Sequence, residues 1–161
     1  MTAVLSLGSN LGDRLARLRR GLEVIAQHVP VTAVSPVYET AAVGVEDQPP
    51  FLNLVAVVGS DEPEVVFSAA QAAEQSQGRL RSLRWGPRSL DVDVITVDDV
   101  RSDDPRLTLP HPRAHERAFV LIPWFALDPT ASLPGQAPVR TLLASLPQQE
   151  VRRVAGPLPL P

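Results

Sequence analysis

Four arginines and a tryptophan fall within ten residues, Arg79 to Arg88, and two aspartates, Asp91 and Asp93, follow at once in R-L-R-S-L-R-W-G-P-R-S-L-D-V-D. Guanidinium forks bind phosphate oxygens in bidentate fashion. Paired carboxylates hold magnesium, which in turn holds nucleotide phosphates. On a strand, residues i and i+2 face the same way, so Asp91 and Asp93 share a face with Cα atoms roughly 7 Å apart. Unscreened, they repel each other, and one or two divalent cations would remove the cost. No acid lies between Glu74 and Asp91, so Arg79, Arg81, Arg84 and Arg88 have no local partners. Trp85, beside Gly86-Pro87, could close over a flat ring. The bland alternatives are a solvated basic loop, an exposed edge strand and a hydrophobic anchor.

Three further groups could serve the same chemistry. Gln71 and Glu74 share a helix face and could reach a nucleotide or metal. Arg106, Thr108, His111, Arg113, His115 and Arg117 form a second basic patch suited to a polyphosphate. Its H-x-x-x-H spacing lacks the H-E-x-x-H zinc pattern. Phe51 and Asn53 fall on one strand face, where stacking and an amide edge could grip a flat heterocycle.

The remaining sequence must position these residues. Ala3 to Leu7 reads as a strand running into a Gly8-Ser9-Asn10 loop. Asp13 can cap a helix with Leu15, Leu18, Leu22 and Ile25 on one stripe, ended by Pro30. Val31 to Tyr38 reads as a strand with an edge or bulge at Pro36, Thr40 to Pro50 as a loop, and Phe51 to Gly59 as a central strand. Asp61-Glu62-Pro63-Glu64 opens a helix to about Gln77, with Gly78 as its stop. Asp91 to Val97 is a fourth strand. A helical turn within His111 to Arg117, an apolar stretch Phe119 to Leu127, a short helix Val139 to Leu146 and a small strand Val151 to Val154 follow, with Pro157 to Pro161 frayed. The order β-α-β-β-α-β predicts an α+β, ferredoxin-like antiparallel sheet with two helices on one face and C-terminal additions.

Composition narrows the function classes. The 161 residues predict one domain, 1–161, and are 44% hydrophobic, enough for a core. Net charge is −3, against a general nucleic-acid binder. All 15 basic residues are arginine, so a Walker A phosphate loop, which needs lysine, is excluded. Cysteine is absent, which removes disulfides and thiolate metal sites. The N-terminal residues do not form a signal peptide and no apolar run reaches membrane-spanning length, so a cytoplasmic location is expected.

Four segments in order carry a family resemblance: L-S-L-G-S-N-L-G-D-R at Leu5 to Arg14, D-Q-P-P-F-L-N at Asp47 to Asn53, R-W-G-P-R-S-L-D-V-D-V at Arg84 to Val94, and L-P-H-P-R-A-H-E-R-A-F at Leu109 to Phe119. The chain resembles the 6-hydroxymethyl-7,8-dihydropterin pyrophosphokinase family of folate biosynthesis. The resemblance implies transfer of pyrophosphate from ATP to the pterin hydroxymethyl oxygen, leaving AMP, with two Mg2+ held by Asp91 and Asp93. It implies a pterin pocket of Thr40, Val43, Phe51, Asn53, Trp85 and Phe119, the two phenylalanines sandwiching the ring. It implies ATP contacts from Gln71, Glu74, Arg81, Arg84, Arg88, Val94, Arg106, Thr108, His111 and Arg117, and catalytic roles for Arg79, Arg81, Arg88, Asp91 and Asp93. Arg79 and Arg88 belong to mobile loops in the family. This chain departs from the family pattern at Ala41 and Ala42, where prolines are common, at Pro112, where some members carry an aromatic, and in a one-residue-shorter Arg79 to Trp85 stretch. Small-molecule substrates, no nucleic acid, no membrane and a monomer are expected. The rivals are a ferredoxin-like RNA-binding module and a two-metal phosphodiesterase.

Overall fold

The computed structural model describes residues 1–41, 48–77 and 89–161. Among the described residues, six strands form one antiparallel sheet: β1 (Ala3–Ser9), β2 (Val31–Val34), β3 (Val37–Thr40), β4 (Phe51–Val58), β5 (Asp91–Val97) and β6 (Val151–Ala155). The strand order is β5-β1-β4-β3-β6, with β2 also paired to β4. The helices are α1 (Arg14–Ala26), α2 (Pro63–Ser76), α3 (Ala118–Leu127) and α4 (Val139–Ser145), with a 3₁₀ turn at Ala114–Glu116. The ferredoxin-like pattern is present, and the C-terminal additions build a third layer.

Side-chain alternation splits the sheet into two cores. Leu5, Leu7, Leu54, Val92 and Val94 pack with Leu18, Leu22 and Ile25 of α1 and Val66, Ala69 and Ala73 of α2. Val4, Val55 and Ile95 face the other way and pack with Val120, Leu121 and Trp124 of α3 and Val139 of α4. At one bulge, Leu5 pairs with Val94 but Val4 with Thr96. The alternation resets there, so Val97 joins the first core while Ile95 stays in the second. The second helix pair covers only part of its face. Beyond it, Ser6, Gly8, Phe51, Asn53, Asp91 and Asp93 remain as the floor of a cleft.

Local chemistry fixes the element ends. The Asp13 carboxylate accepts from the Ala16 N–H at 3.1 Å and caps α1. A Cβ on Gly21 would lie 2.7 Å from Leu90 Cδ2, so glycine lets α1 press against the sheet end that carries the site. Helix α2 starts at Pro63 with Glu64 in its first turn, and Glu62 makes no side-chain cap bond. Its stop at Gly78 falls outside the described residues.

Three expectations change. The run Val31 to Tyr38 is two strands, because Pro36 has no N–H to give the ladder. Ser35 bridges the break: its N–H donates to Val55 O at 2.9 Å, and its hydroxyl accepts from Val55 N–H at 2.9 Å. Strand β1 continues through Gly8 and Ser9, since Gly8 pairs with both Asn53 and Asp91. The tail 156–161 lacks regular structure, yet Leu158 is buried in the first core. Among the described residues no helix is long and apolar enough to cross a membrane.

Glu39 ties the cleft-side strand β3 to two other elements. Its carboxylate accepts from Arg14 of α1 at 3.0 Å and from Arg152 of β6 at 2.9 Å. These bonds, Arg152 first, hold its carboxyl below the ordinary value of 4.5. A depressed carboxylate pKa adds stability above the ordinary value, which is lost as pH falls through the folded value. Glu39→Gln is therefore expected to lower Tm at pH 7, with a smaller gap from the parent near pH 3. An equal gap in melting temperature at both pH values would show that the ion pairs contribute nothing.

Candidate active site

The cleft encloses about 800 Å³ and opens on the uncovered half of the second sheet face. Its floor is a cross-strand array: Asp91 pairs with Gly8 and Asp93 with Ser6 on one side of β1, while Asn53 pairs with Gly8 on the other. Both aspartates face this cleft, as strand alternation requires. Strand β5 is a sheet edge, but its apolar residues are buried on both faces. The acids therefore stand in an apolar frame rather than on a solvated ribbon.

Gly8 makes room in the floor. A Cβ there would sit 2.9 Å from Asn53 Oδ1 and 3.5 Å from Phe51 Cδ1. Asn53 is buried, and its Nδ2 donates to Thr40 Oγ1 at 2.8 Å. That bond fixes the amide with Oδ1 presented over Gly8. Phe51 at the start of β4 and Phe119 on the first turn of α3 both line the cleft.

Arg117 joins this group from between the 3₁₀ turn and α3. Its guanidinium lies 3.5 Å from Asp93 Oδ2 and stacks over the Phe119 ring at 5.5 Å. His111 donates its N–H to Ile95 O at 2.9 Å, which docks it on the free edge of β5. Its Nδ1 accepts from Arg113 N–H at 3.2 Å. Burial pushes the imidazole below its usual value, Asp93 opposes that, and Arg117 and Arg113 reinforce it. A neutral ring with Nδ1 accepting carries its proton on Nε2, a donor suited to a phosphate oxygen.

The remaining described site residues, His111 among them, do not line the cleft. Glu74 Oε2 accepts from Val92 N–H at 3.2 Å, fastening α2 to the outer edge of β5. Gln71 is exposed one turn earlier on the same helix. Arg106 donates to Glu64 at 3.1 Å in the first turn of α2 and stacks over Phe67 at 5.2 Å. Glu64, Phe67, Gln71 and Glu74 follow one helical stripe, so Arg106, Gln71 and Glu74 line one side of α2. Thr108 Oγ1 donates to Asp104 O at 3.0 Å. The alternation that aims Asp91 and Asp93 into the cleft buries the Val94 side chain in the opposite core. Only its backbone could touch a nucleotide. Val43, Arg79, Arg81, Arg84, Trp85 and Arg88 lie outside the described residues. The stems of the arginine segment are tied, with Ser9 Oγ donating to Ser89 O at 2.6 Å and Ser89 Oγ to Gln77 O at 3.0 Å.

The two carboxylates suit a hard cation that takes oxygen ligands. Among the described residues no group of three or more His, Cys, Asp or Glu side chains converges. Two protein carboxylates, with phosphate and water completing the shell, is how magnesium is held at nucleotide sites.

The model of the 7,8-dihydro-6-hydroxymethylpterin-pyrophosphokinase (HPPK) family matches residues 4–129. The chain belongs to this family. The HPPK match takes in β4, β5 and all of β1 except Ala3, together with Arg117 and Phe119. The 2-amino-4-hydroxy-6-hydroxymethyldihydropteridine pyrophosphokinase of Mycobacterium tuberculosis is 46% identical over 157 residues, covering 89% of this chain and 82% of that protein. The Pseudomonas aeruginosa protein of the same name is 39% identical over 155 residues, covering 94% and 95%. In the crystal structure of wild-type Plasmodium falciparum HPPK-DHPS with SDX-DHP, a similar fold has a TM-score of 0.66 at 12% identity. It covers 89% of this chain but only 44% of that longer one, and the likeness is one of fold.

Cleft residues that sequence patterns did not single out include Ser6, Glu116, Gln149, Glu150 and Val151. The alternation through Asp91 and Asp93 would have found Ser6 once the pairing of β1 with β5 was known. Nothing local marks Gln149 to Val151, which arrive from the far end of the chain.

Proposed function

We propose that this chain transfers a pyrophosphoryl group from ATP to the hydroxymethyl oxygen of 6-hydroxymethyl-7,8-dihydropterin. A bond forms between that oxygen and the β-phosphorus, the bond from the β-phosphorus to the oxygen bridging the α-phosphate breaks, and AMP leaves as the hydroxyl proton is lost. The observation that carries this reading is one cleft holding two unlike half-sites. Phe51, Phe119, Asn53 and Thr40 offer ring faces and an amide edge to a flat heterocycle. Asp91 and Asp93, 3.5 Å from Arg117 in the case of Asp93, offer the charge a polyphosphate complex needs.

Asp91 and Asp93 would hold two Mg2+ ions, which supply charge neutralisation for the phosphates. Arg117 would exchange its contact with Asp93 for phosphate oxygen, and the His111 Nε2–H would donate to the same tail. Gln71, Glu74, Arg106 and Thr108 would take the nucleotide along the α2 side of β5, with Arg106 released from Glu64. Arg81, Arg84 and Arg88 would join them, Arg79 and Arg88 would close over the substrates to exclude water, and Val43 and Trp85 would complete the pterin pocket.

Incubating the protein with Mg-ATP, with and without the hydroxymethyl dihydropterin, tests this. AMP release that depends on the pterin, together with a pterin diphosphate by mass, is expected. ATP hydrolysis indifferent to the pterin, or RNA binding without turnover, would replace this assignment with one of its rivals.

A further inference from the structure

The cleft wall formed by Arg117 and Phe119 is held from outside the segment the family match spans. Arg117 occupies the N-cap position of α3 in an extended conformation, φ −109° and ψ 102°, and makes no side-chain cap bond. The cap comes instead from Gln149. Its Oε1 accepts from Ala118 N–H at 3.0 Å, and its Nε2 donates to Glu116 O at 3.1 Å. Those two groups belong to the peptide units on either side of Arg117. One carboxamide thus clasps Arg117 from both sides, as a neighbouring strand would. Only a side chain with one donor and one acceptor at this spacing can do so.

The same short segment reaches the opposite wall. Val151, two residues beyond Gln149, pairs with Thr40, whose hydroxyl accepts from Asn53. Residues 149–151 therefore tie the Arg117–Phe119 wall to the Thr40–Asn53 wall, and all three line the cleft.

We propose that Gln149 is a positioning residue for this reaction, its amide setting the direction of Arg117 towards the phosphates and of Phe119 towards the pterin by clasping both peptide groups of Arg117. The proposal rests on the pyrophosphokinase reading of the cleft. Gln149→Met keeps the length and removes both bonds, while Gln149→Glu keeps the acceptor and loses the donor. The Met variant is expected to raise the KM for the pterin ~10-fold, the scale of one to two net hydrogen bonds, and to raise the KM for ATP through Arg117, with Tm close to the parent's. The Glu variant should fall between. Hydrogen exchange of the Ala118 amide, read by NMR without substrates, should be faster in the Met variant. An unchanged pterin KM in Gln149→Met would overturn the proposal, as would an Ala118 exchange rate equal to the parent's. A parent protein without pterin-dependent AMP release would instead refute the functional reading, and the Ala118 exchange rate would still report on the clasp.

Discussion

Asp93→Ala should lower the rate of pyrophosphoryl transfer by ~10³-fold or more while leaving the protein folded. Losing a carboxylate that holds a catalytic cation removes charge stabilisation where the phosphates react, and such losses cost several kcal/mol of barrier. Stability has little at stake. The Asp93 side chain is 43% exposed and its described partner is Arg117 at 3.5 Å. An ion pair that exposed contributes about 0–1 kcal/mol, and removing one of two facing acids relieves repulsion in the metal-free protein. Melting curves with Mg-ATP provide a second measure, since a ligand that binds only the folded state raises Tm. The parent should gain stability from Mg-ATP, and Asp93→Ala should gain less. If the variant kept near-parental turnover and the same gain, the cation would have to be held elsewhere.

Asn53→Leu is expected to weaken pterin binding by ~10²-fold or more with a small effect on ATP. A site built to hydrogen-bond its ligand discriminates strongly, because the unmet partner on either side remains buried and unpaired. The Asn53 amide is spoken for on one edge, with Nδ2 on Thr40 at 2.8 Å. Its Oδ1 stands over the space that Gly8 leaves open. Leucine fills similar volume but offers no acceptor, and it strands the buried Thr40 hydroxyl, at a cost of about 1–3 kcal/mol. Isothermal titration with the pterin, then with ATP, separates the two effects. Parental pterin affinity in Asn53→Leu would remove Asn53 from the pterin site.

Residues close in sequence announced much of the floor. Asp91 and Asp93, like Phe51 and Asn53, share a face because a strand repeats every two residues, and no knowledge of neighbours is needed to see it. Asp13 as the α1 cap is a contact three residues long. The same periodicity sends the Val94 side chain into the opposite core, since it alternates with both aspartates. Arg106 shows the opposite limit. Its partner Glu64 is 42 residues away, and no spacing rule brings the two together.

The sequence by itself determined the helices and most of the strands of the ferredoxin-like unit, the shared face of each critical pair and the family's chemistry, because these depend on side-chain periodicity and on motifs a few residues long. Only the tertiary structure decided which half of the second sheet face stays open. That depends on where α3 and α4 come to rest. It also decided that Arg117 meets Asp93 across 24 residues of sequence, and that Gln149, 31 residues past Ala118, holds the wall in place. Such contacts arise from the packing of elements already formed, and packing leaves no period in the chain to read.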